Sequence, residues 1–478
     1  YHLLIGEMIM NKKRDLTQGS ILKALLIVAI PTLFSSLIQM AYNLTDMFWV
    51  ARVDQIDLIP EQAVSAVGIV GFYPWLGFGL IMLAKIGTQV KVSQAAGSNN
   101  MKLVSKIGNN GLLLMISFGI LYTVFGFFGR ELFISFFEPA SANTAMFANG
   151  YMRILMISGI AFFVVNLFNG VYDGLGKTIM TLAVTASGLI LNIILDPIFI
   201  LNEVNVFGLF TINGLGLGVR GAAMATVIGQ SSILLIYIGI YISKHRPFKI
   251  KLNFDFDPKV MKEIIRIGFP IGVQSVLFTV ISMILARLIN TFGTGPMAIQ
   301  RVGSQIESFA WMIASGFQVA LASFVGQNFG ARQYKRIQEG YKVSMRLLVP
   351  YGILINVLFF VFARDLFSVF FKNPETLDIG TTYLRILSVS QLFMIVELAS
   401  AGVMNGLGKT WIPSLVGVSG NMLRIPIALL LMGTLGYSGI WIGVSASSIV
   451  KGVVLVAWLV VLFRKLGKPD GILFENNL

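Results

Sequence analysis

The sequence predicts an all-α polytopic membrane protein, with twelve transmembrane helices arranged as two pseudo-symmetric six-helix lobes. Three observations predict it. Of 478 residues, 56% are hydrophobic and 12% charged, with a mean hydropathy of +0.80, so no water-soluble surface could be assembled from this chain. Long apolar runs, most above the roughly 20 residues that cross a bilayer, recur between short polar breaks. Runs of that length are helices, because lipid offers the backbone no outside hydrogen-bond partner and barrel strands are shorter. The chain also repeats itself: Tyr151-Met-Arg-Ile-Leu leads to Asp173-Gly-Leu-Gly-Lys-Thr178, and Tyr383-Leu-Arg-Ile-Leu leads to Asn405-Gly-Leu-Gly-Lys-Thr410, at a constant offset of 232.

Taken in order, residues 1–20 form a polar terminal segment and 21–243 the first lobe. Its helices are expected at 21–50, 61–90, 103–129, 147–172, 178–201 and 219–243. Pro31 should kink the first of them. The first Gly-Lys-Thr motif is the turn before the fifth, and a small-residue stretch around Thr226 marks the sixth. A polar linker follows at 244–260, then the second lobe at 261–463 and a tail at 464–478. The second lobe's helices are expected at 261–291, 296–323, 342–363, 381–406, 410–432 and 437–463. Lys262…Pro270 repeats Lys23…Pro31, and Val325-Gly-Gln-Asn-Phe-Gly330 echoes Val92-Ser-Gln-Ala-Ala-Gly97. A duplicated hydrophobic chain of this kind is the signature of a transporter with its site between two halves.

Charge sets the expected orientation. Lys12-Lys13-Arg14, Lys102, Lys106, Lys177, the run from Lys244 to Lys262, Arg332, Lys335, Arg336, Lys409, Arg464 and Lys465 all fall on one side. Asp54, Asp57, Glu61, Glu138, Glu203, Glu375 and Asp378 fall on the other. The positive-inside rule then places both termini and the linker in the cytoplasm, with the chain crossing the plasma membrane many times. The net charge of +14 thus reports topology and contact with anionic membrane lipids; nucleic acid is not an expected partner, because the charges sit on separate short loops. There is no cysteine, and the histidines are His2 and His245, which excludes thiol nucleophiles, disulfides and zinc sites. The Gly-Lys-Thr motifs lack the phosphate-loop frame and a preceding strand, so they read as turns. No cleavable signal peptide is expected, and residues 1–7 read as extraneous, with Met8 or Met10 as starts.

An acid inside an apolar helix costs about 2.5–3.5 kcal/mol on insertion scales, so each one is informative. Asp46 lies toward the outer end of the first helix, where the bland reading is an interfacial acid bonded to local backbone beside Trp49. Asp196 follows Asn192 by four residues and so shares its helical face, which calls for a polar cavity. Its bland reading is repair of backbone groups loosened by Pro197. In the second lobe, Asp46, Asn192 and Asp196 correspond to Leu285, Arg424 and Ala428. The acid pair therefore belongs to one lobe, as expected if that lobe alone carries a coupling ion. Glu307 reads as structural, held locally by Arg301 and Gln305, while Glu397 is the second-lobe acid that could meet a cationic substrate. Gln39, Tyr151, Asn166, Asn169 and Thr226 are polar residues near the expected cavity; each alone would pass for interhelical glue worth about 0.6 kcal/mol.

These residues resemble the multidrug and toxic compound extrusion (MATE) family over nearly the whole chain. The resemblance is carried by Pro31…Tyr42-Asn-Leu-Thr-Asp46, Gln94-Ala-Ala-Gly97 and Gly326-Gln-Asn-Phe-Gly-Ala331, the doubled Gly-Leu-Gly-Lys-Thr, and Gln305-Ile-Glu-Ser308. Within the family the chain looks most like the DinF and archaeal branch. That resemblance implies a proton-responsive, or Na⁺-binding, network of Asp46, Asn192 and Asp196 supported by Tyr151, Asn166, Asn169 and Thr226. It also implies bending at Pro31 and a substrate path lined by Gln39. The branch that uses a second-lobe acid carries it where this chain has Met394, which favours the first lobe.

The expected function is a cation-coupled multidrug efflux antiporter, not an enzyme. It would be a monomer that exports amphipathic, often cationic drugs by alternating access, with H⁺ as the coupling ion, Na⁺ as the alternative, and no other cofactor. If Na⁺ is the ion, Asp46, Asp196 and Asn192 are its ligands. One charge crossing 100 mV yields about 2.3 kcal/mol, against about 1.4 kcal/mol for a tenfold solute gradient, so one proton suffices without ATP. A lipid-linked oligosaccharide flippase of the same superfamily is the alternative; it needs basic residues for pyrophosphate, of which Arg287, Arg301 and Arg424 are candidates. A membrane-embedded enzyme is a remote third reading, for which no catalytic set is present.

Overall fold

The computed structural model describes residues 15–50, 52, 60–137, 139, 141–206, 210–243, 256–371 and 373–466. Much of the expected linker and the first fourteen residues, with the Lys12-Lys13-Arg14 cluster, lie outside them. Among the described residues, twelve helices are long and apolar enough to cross a membrane. The N-lobe holds α1 (Ile21–Val50), α2 (Pro60–Gly97), α3 (Met101–Phe128), α4 (Ala142–Gly174, crossed by a 3₁₀ turn at Met156–Ser158), α5 (Thr178–Ile200) and α6 (Val219–Ile242). The C-lobe holds α7 (Pro258–Asn290), α8 (Thr294–Gly330), α9 (Tyr334–Val361), α10 (Pro374–Gly406), α11 (Trp411–Leu435) and α12 (Tyr437–Lys465). Short helices at Arg130–Ser135 and Ala363–Ser368 connect spans in equivalent places. An antiparallel hairpin, β1 (Glu203–Val206) with β2 (Phe210–Asn213), joins α5 to α6 in register Glu203↔Asn213.

Hydropathy located the spans but not all their ends. Helix α2 runs on to Gly97 and α8 to Gly330, about two turns past the apolar stretch in each case. The extra turns carry Ser93, Gln327 and Asn328, which are buried between the lobes rather than in lipid. Burial against protein lets a helix continue where its composition has turned polar.

The repeated turns explain their own residues. Gly176 and Gly408 adopt φ of +71° and +75°, the left-handed conformation that favours glycine. The Lys177 N–H then donates to Tyr172 O at 2.8 Å and the Lys409 N–H to Met404 O at 2.9 Å, closing both helices with the same six-to-one bond. The threonine that follows reaches the first helix of its lobe. Pro31 cannot donate to the carbonyl of Ile27, and Thr178 Oγ1 lies 3.3 Å from Ile27 O and from Val28 O, donating to them. Thr410 Oγ1 donates to Ile267 O at 2.5 Å, three residues before Pro270. Each proline thus sits beside a carbonyl held by the hydroxyl of the next turn.

The lobes meet at one end of the molecule, the terminal face, where Leu16 and Leu466 lie. One hydrophobic cluster gathers Leu16, Leu25 and Val28 from the N-terminal side with Phe324 of α8 and Met404 of α10. The C-lobe cluster built around Ile289, Phe367 and Trp441 contains no N-lobe residue. Glycines make the junction close. A methyl group added at Gly97 would run into the carbonyl of Gln327, and one at Gly330 into the carbonyl of Gln94; Gly87 meets Ile264 O and Gly268 meets Leu83 O in the same way. Ion pairs tie the rim: Lys91 to Glu263 at 2.7 Å and Lys106 to Asp257 at 2.6 Å. The Lys106 ammonium, then the Lys259 N–H, holds the Asp257 carboxyl below its usual range. That tie is complete above the ordinary carboxylate value of about 3.9 and is lost as pH falls through the lowered one. Among the described residues, the close contacts between the lobes thus gather toward the terminal face.

Because the blocking atoms are backbone, Gly97→Ala and Gly330→Ala should each destabilise the purified protein by about 1–3 kcal/mol in thermal unfolding. Gly68→Ala, where nothing lies within 4 Å of the added carbon, should melt like the parent. Equal melting of all three would show that the junction is not close-packed.

Candidate functional site

The acid pair predicted from sequence comes together inside the N-lobe. Asp46 on α1 is 8% exposed and Asp196 on α5 is fully buried. The four-residue spacing works as expected: Asn192 Nδ2 donates to Asp196 Oδ1 at 3.2 Å. Asp196 is therefore bonded to a side chain rather than repairing backbone near Pro197. Asp46 is buried rather than interfacial. Thr226 on α6 and Tyr151 on α4 are buried beside the pair. Tyr42 Oη lies 3.4 Å from Thr226 Oγ1, and Tyr151 lies within electrostatic reach of Asp46, Tyr42 and Asp196. Four helices thus converge on one polar cluster.

Not every acceptor in that cluster has a donor. Asp46 Oδ1, Asp196 Oδ2 and Asn192 Oδ1 are all buried, and none accepts a hydrogen bond. The two acids feel each other's charge, and among the described residues no lysine or arginine pairs with either. Buried acceptors without donors are expensive, and two facing carboxylates add mutual repulsion. A proton or a small cation at this point would relieve both costs.

Asn166 and Asn169 belong to a second network deeper in the N-lobe. Asn166 Oδ1 lies 3.5 Å from Lys85 Nζ, and Asn169 Oδ1 accepts from Tyr237 Oη at 2.5 Å. Asp173, whose charge balances Lys85, accepts from Thr181 Oγ1 at 3.1 Å. These groups sit toward the terminal face, at the opposite ends of α4 and α5 from Tyr151 and Asp196. Sequence reasoning missed Lys85 and Asp173. The first had a signal, since a lysine in Leu80-Ile-Met-Leu-Ala-Lys85 is as costly in an apolar helix as an acid. The second was hidden by reading its motif only as a turn.

The C-lobe answers the same geometry with balanced charge. Glu307 does not join Arg301 and Gln305, which are exposed; six residues along a helix is not the same face. Instead Glu307 Oε1 accepts from Tyr383 Oη at 2.6 Å and Oε2 from Gln391 Nε2 at 3.2 Å. Tyr383 is the repeat counterpart of Tyr151. Arg424, counterpart of Asn192, donates to Ser447 Oγ at 2.9 Å and Ser448 Oγ at 3.3 Å and faces both Glu307 and Glu397. Glu397 is itself paired with Lys451 at 3.2 Å, the two side chains 12% and 8% exposed. The acid considered for a cationic substrate thus already holds an ammonium. Gln39 is exposed on α1, seven residues before Asp46, and Pro31 is buried within a helix that continues through it.

Comparison with known proteins agrees with this architecture. A family model described as MatE matches residues 31–198 and 270–430, one block in each lobe. The chain is 26% identical over 440 residues to the probable multidrug resistance protein NorM of Thermotoga maritima, covering 90% of each chain. It is 22% identical to the multidrug export protein MepA of Staphylococcus saprophyticus, over 88% of this chain and 90% of that one. In fold it is similar to a structure described as the outward-facing conformation of a multidrug resistance MATE family transporter, with a TM-score of 0.84 at 21% identity over 96% of this chain and 99% of that one. A transporter from Pyrococcus furiosus, described as having a binding pocket of reverse polarity, matches with a TM-score of 0.84 at 20% identity over the same shares. With both lobes matched in sequence and folded as two helical lobes, the chain belongs to the MatE family, whose members are membrane transporters and not enzymes.

Proposed function

We propose that this protein is a multidrug efflux antiporter that exchanges an inward-moving H⁺ for an amphipathic, often cationic organic compound. The observation that carries this reading is the set of three donorless oxygens on Asp46, Asn192 and Asp196, buried with no basic side chain among the described residues paired to the acids. A proton bound there supplies a donor and removes a charge. Na⁺ would use the same oxygens as ligands, since carboxylate, amide and hydroxyl oxygens suit either ion.

The positive-inside pattern puts the terminal face in the cytoplasm, so the end where the lobes close on each other is the inner one, and the proposed path leads from the opposite end outward. Along that path a proton enters from outside and reaches the pair. Its deprotonated form attracts a cation; its protonated form does not, so protonation favours release of the drug outward. Helix α1 links the two events, since Asp46 lies 15 residues beyond Pro31, about 22 Å along the helix. A change of charge at Asp46 therefore acts on a long lever above the one position where the helix lacks a backbone bond. Gln39, between the two, lines the proposed path, and Asn166 and Asn169 extend it inward. Glu397 contributes to cation binding only where the substrate displaces Lys451. The N-lobe location of the acids is the ground for the DinF- and archaeal-like branch. A single chain holds both lobes, so the monomer is the working unit. The flippase reading is weaker, because Arg424 and Lys451 are engaged with Ser447, Ser448 and Glu397, and Arg287 and Arg301 are exposed.

Asp46→Asn and Asp196→Asn should each reduce ethidium export from proteoliposomes to background under an imposed pH gradient, with the proteins still folded and monodisperse. Near-parental export in both would refute the assignment, and export driven by a Na⁺ gradient alone would replace H⁺ with Na⁺. In the C-lobe, Lys451→Met should cost about 3–5 kcal/mol of stability by stranding Glu397. Adding Glu397→Gln should recover part of that loss in the same unfolding assay; strictly additive losses would mean the pair is not coupled.

A further inference from the structure

Two duplicated motifs remain without a role in the proton chemistry: the Gln-x-x-Gly ends of α2 and α8, and the Gly-Leu-Gly-Lys-Thr turns after α4 and α10. The structure joins them across the lobes. Gln94 Nε2, at the end of α2 in the N-lobe, donates to Gly406 O in the C-lobe turn at 3.1 Å. Gln327 Nε2, at the end of α8 in the C-lobe, donates to Gly174 O in the N-lobe turn at 3.1 Å. The two bonds are related by the internal repeat and are reciprocal, each lobe supplying one amide and one carbonyl. They lie on the seam where Gly97 faces Gln327 and Gly330 faces Gln94, so neither side chain can approach without the backbones already in contact.

We propose that Gln94 and Gln327 are the inner-gate residues of the transport cycle, positioning residues whose reciprocal bonds to the opposite lobe's turn hold the terminal face shut. A small count of neutral amide-to-carbonyl bonds suits a gate that must open in every cycle. Each bond is worth enough to bias the closed state and little enough to break, on the order of a threefold change in population for one interhelical bond. The ends of both bonds lead into the hinges. Gly174 and Gly406 open the turns whose Thr178 and Thr410 hold carbonyls just before Pro31 and Pro270. Breaking either bond therefore frees a turn attached to a proline-bearing helix in its own lobe. The two bonds are not wholly alike: Gln327 Oε1 also accepts from the Leu16 N–H at 3.1 Å, so the segment before α1 lies across the C-lobe half. The consequence for drug export rests on the alternating-access reading, but the gate itself can be read without substrate or ion gradient.

The chain contains no cysteine, so one introduced thiol is the only one. Ser323→Cys places it at a fully buried position in the seam, where Gln89 Nε2 lies 3.4 Å from Ser323 Oγ. Ala222→Cys is the reference, fully buried within the N-lobe core and away from the seam. Each is labelled with a charged, membrane-impermeant maleimide in purified full-length protein in lipid nanodiscs. Gln94→Met and Gln327→Met, which keep side-chain length but cannot donate, should each raise the labelling rate at position 323 by about threefold and together by about eightfold. Labelling at 222 should stay constant. Unchanged labelling at 323 overturns the proposal, and so does an equal rise at 222, which would mean that the glutamines only stabilise the fold. Should a Met variant not fold, Gln94→Asn and Gln327→Asn keep the amide but fall one methylene short, and the same increase at 323 is required of them.

Discussion

The constraint on which this structure turns is the cost of charge in a low-dielectric interior. Each lobe encloses acids among its helices, Asp46, Asp173 and Asp196 in the N-lobe and Glu307 with the partly buried Glu397 in the C-lobe, and the two lobes meet the cost differently. The C-lobe pairs its acids with bases and donors: Lys451 holds Glu397, Tyr383 and Gln391 bond Glu307, and Arg424 faces both. Nothing more is needed there for electrical balance. Among the described residues, the N-lobe gives Asp196 an amide donor, leaves an oxygen of each of Asp46 and Asp196 without one, and pairs neither acid with a lysine or arginine. An arrangement that would be a defect in a purely structural core suits the ion-binding site proposed here, because a bound ion would complete the network.

The internal repeat separates scaffold from chemistry. Positions that shape the backbone are the same in both lobes: the left-handed glycines at 176 and 408, the threonines at 178 and 410, and the prolines at 31 and 270. Positions inside the lobes have diverged in charge. Tyr151 and Tyr383 persist, but Asn192 stands opposite Arg424, and Asp173 opposite Asn405. Backbone geometry must match for two lobes to close on each other by a pseudo-twofold seam, whereas side chains pointing into separate lobe interiors are free to differ.

That division also explains what could be read from sequence. Twelve spans followed from hydropathy, and the Asn192–Asp196 bond from a four-residue spacing on one helix. Contacts between helices far apart in the chain left no such trace. The partners of Glu307 lie 76 and 84 residues away, and those of Gln94 and Gln327 lie in the opposite lobe. Arg301 was a reasonable local partner by distance along the chain and a wrong one by helical phase. The added turns of α2 and α8 were illegible for a related reason: a hydropathy window stops where lipid stops, while these helices continue because protein covers them. The hairpin between α5 and α6 is built from four-residue strands, too short to stand out from a loop.

The claim that the N-lobe pair carries the coupling proton is tested most directly by counting protons. Purified protein in weakly buffered detergent solution, titrated with tetraphenylphosphonium near neutral pH, should release protons as the cation binds, and the Asp46→Asn/Asp196→Asn double variant should release none. Proton release of the same size from the double variant would place the titrating group elsewhere and contradict the account.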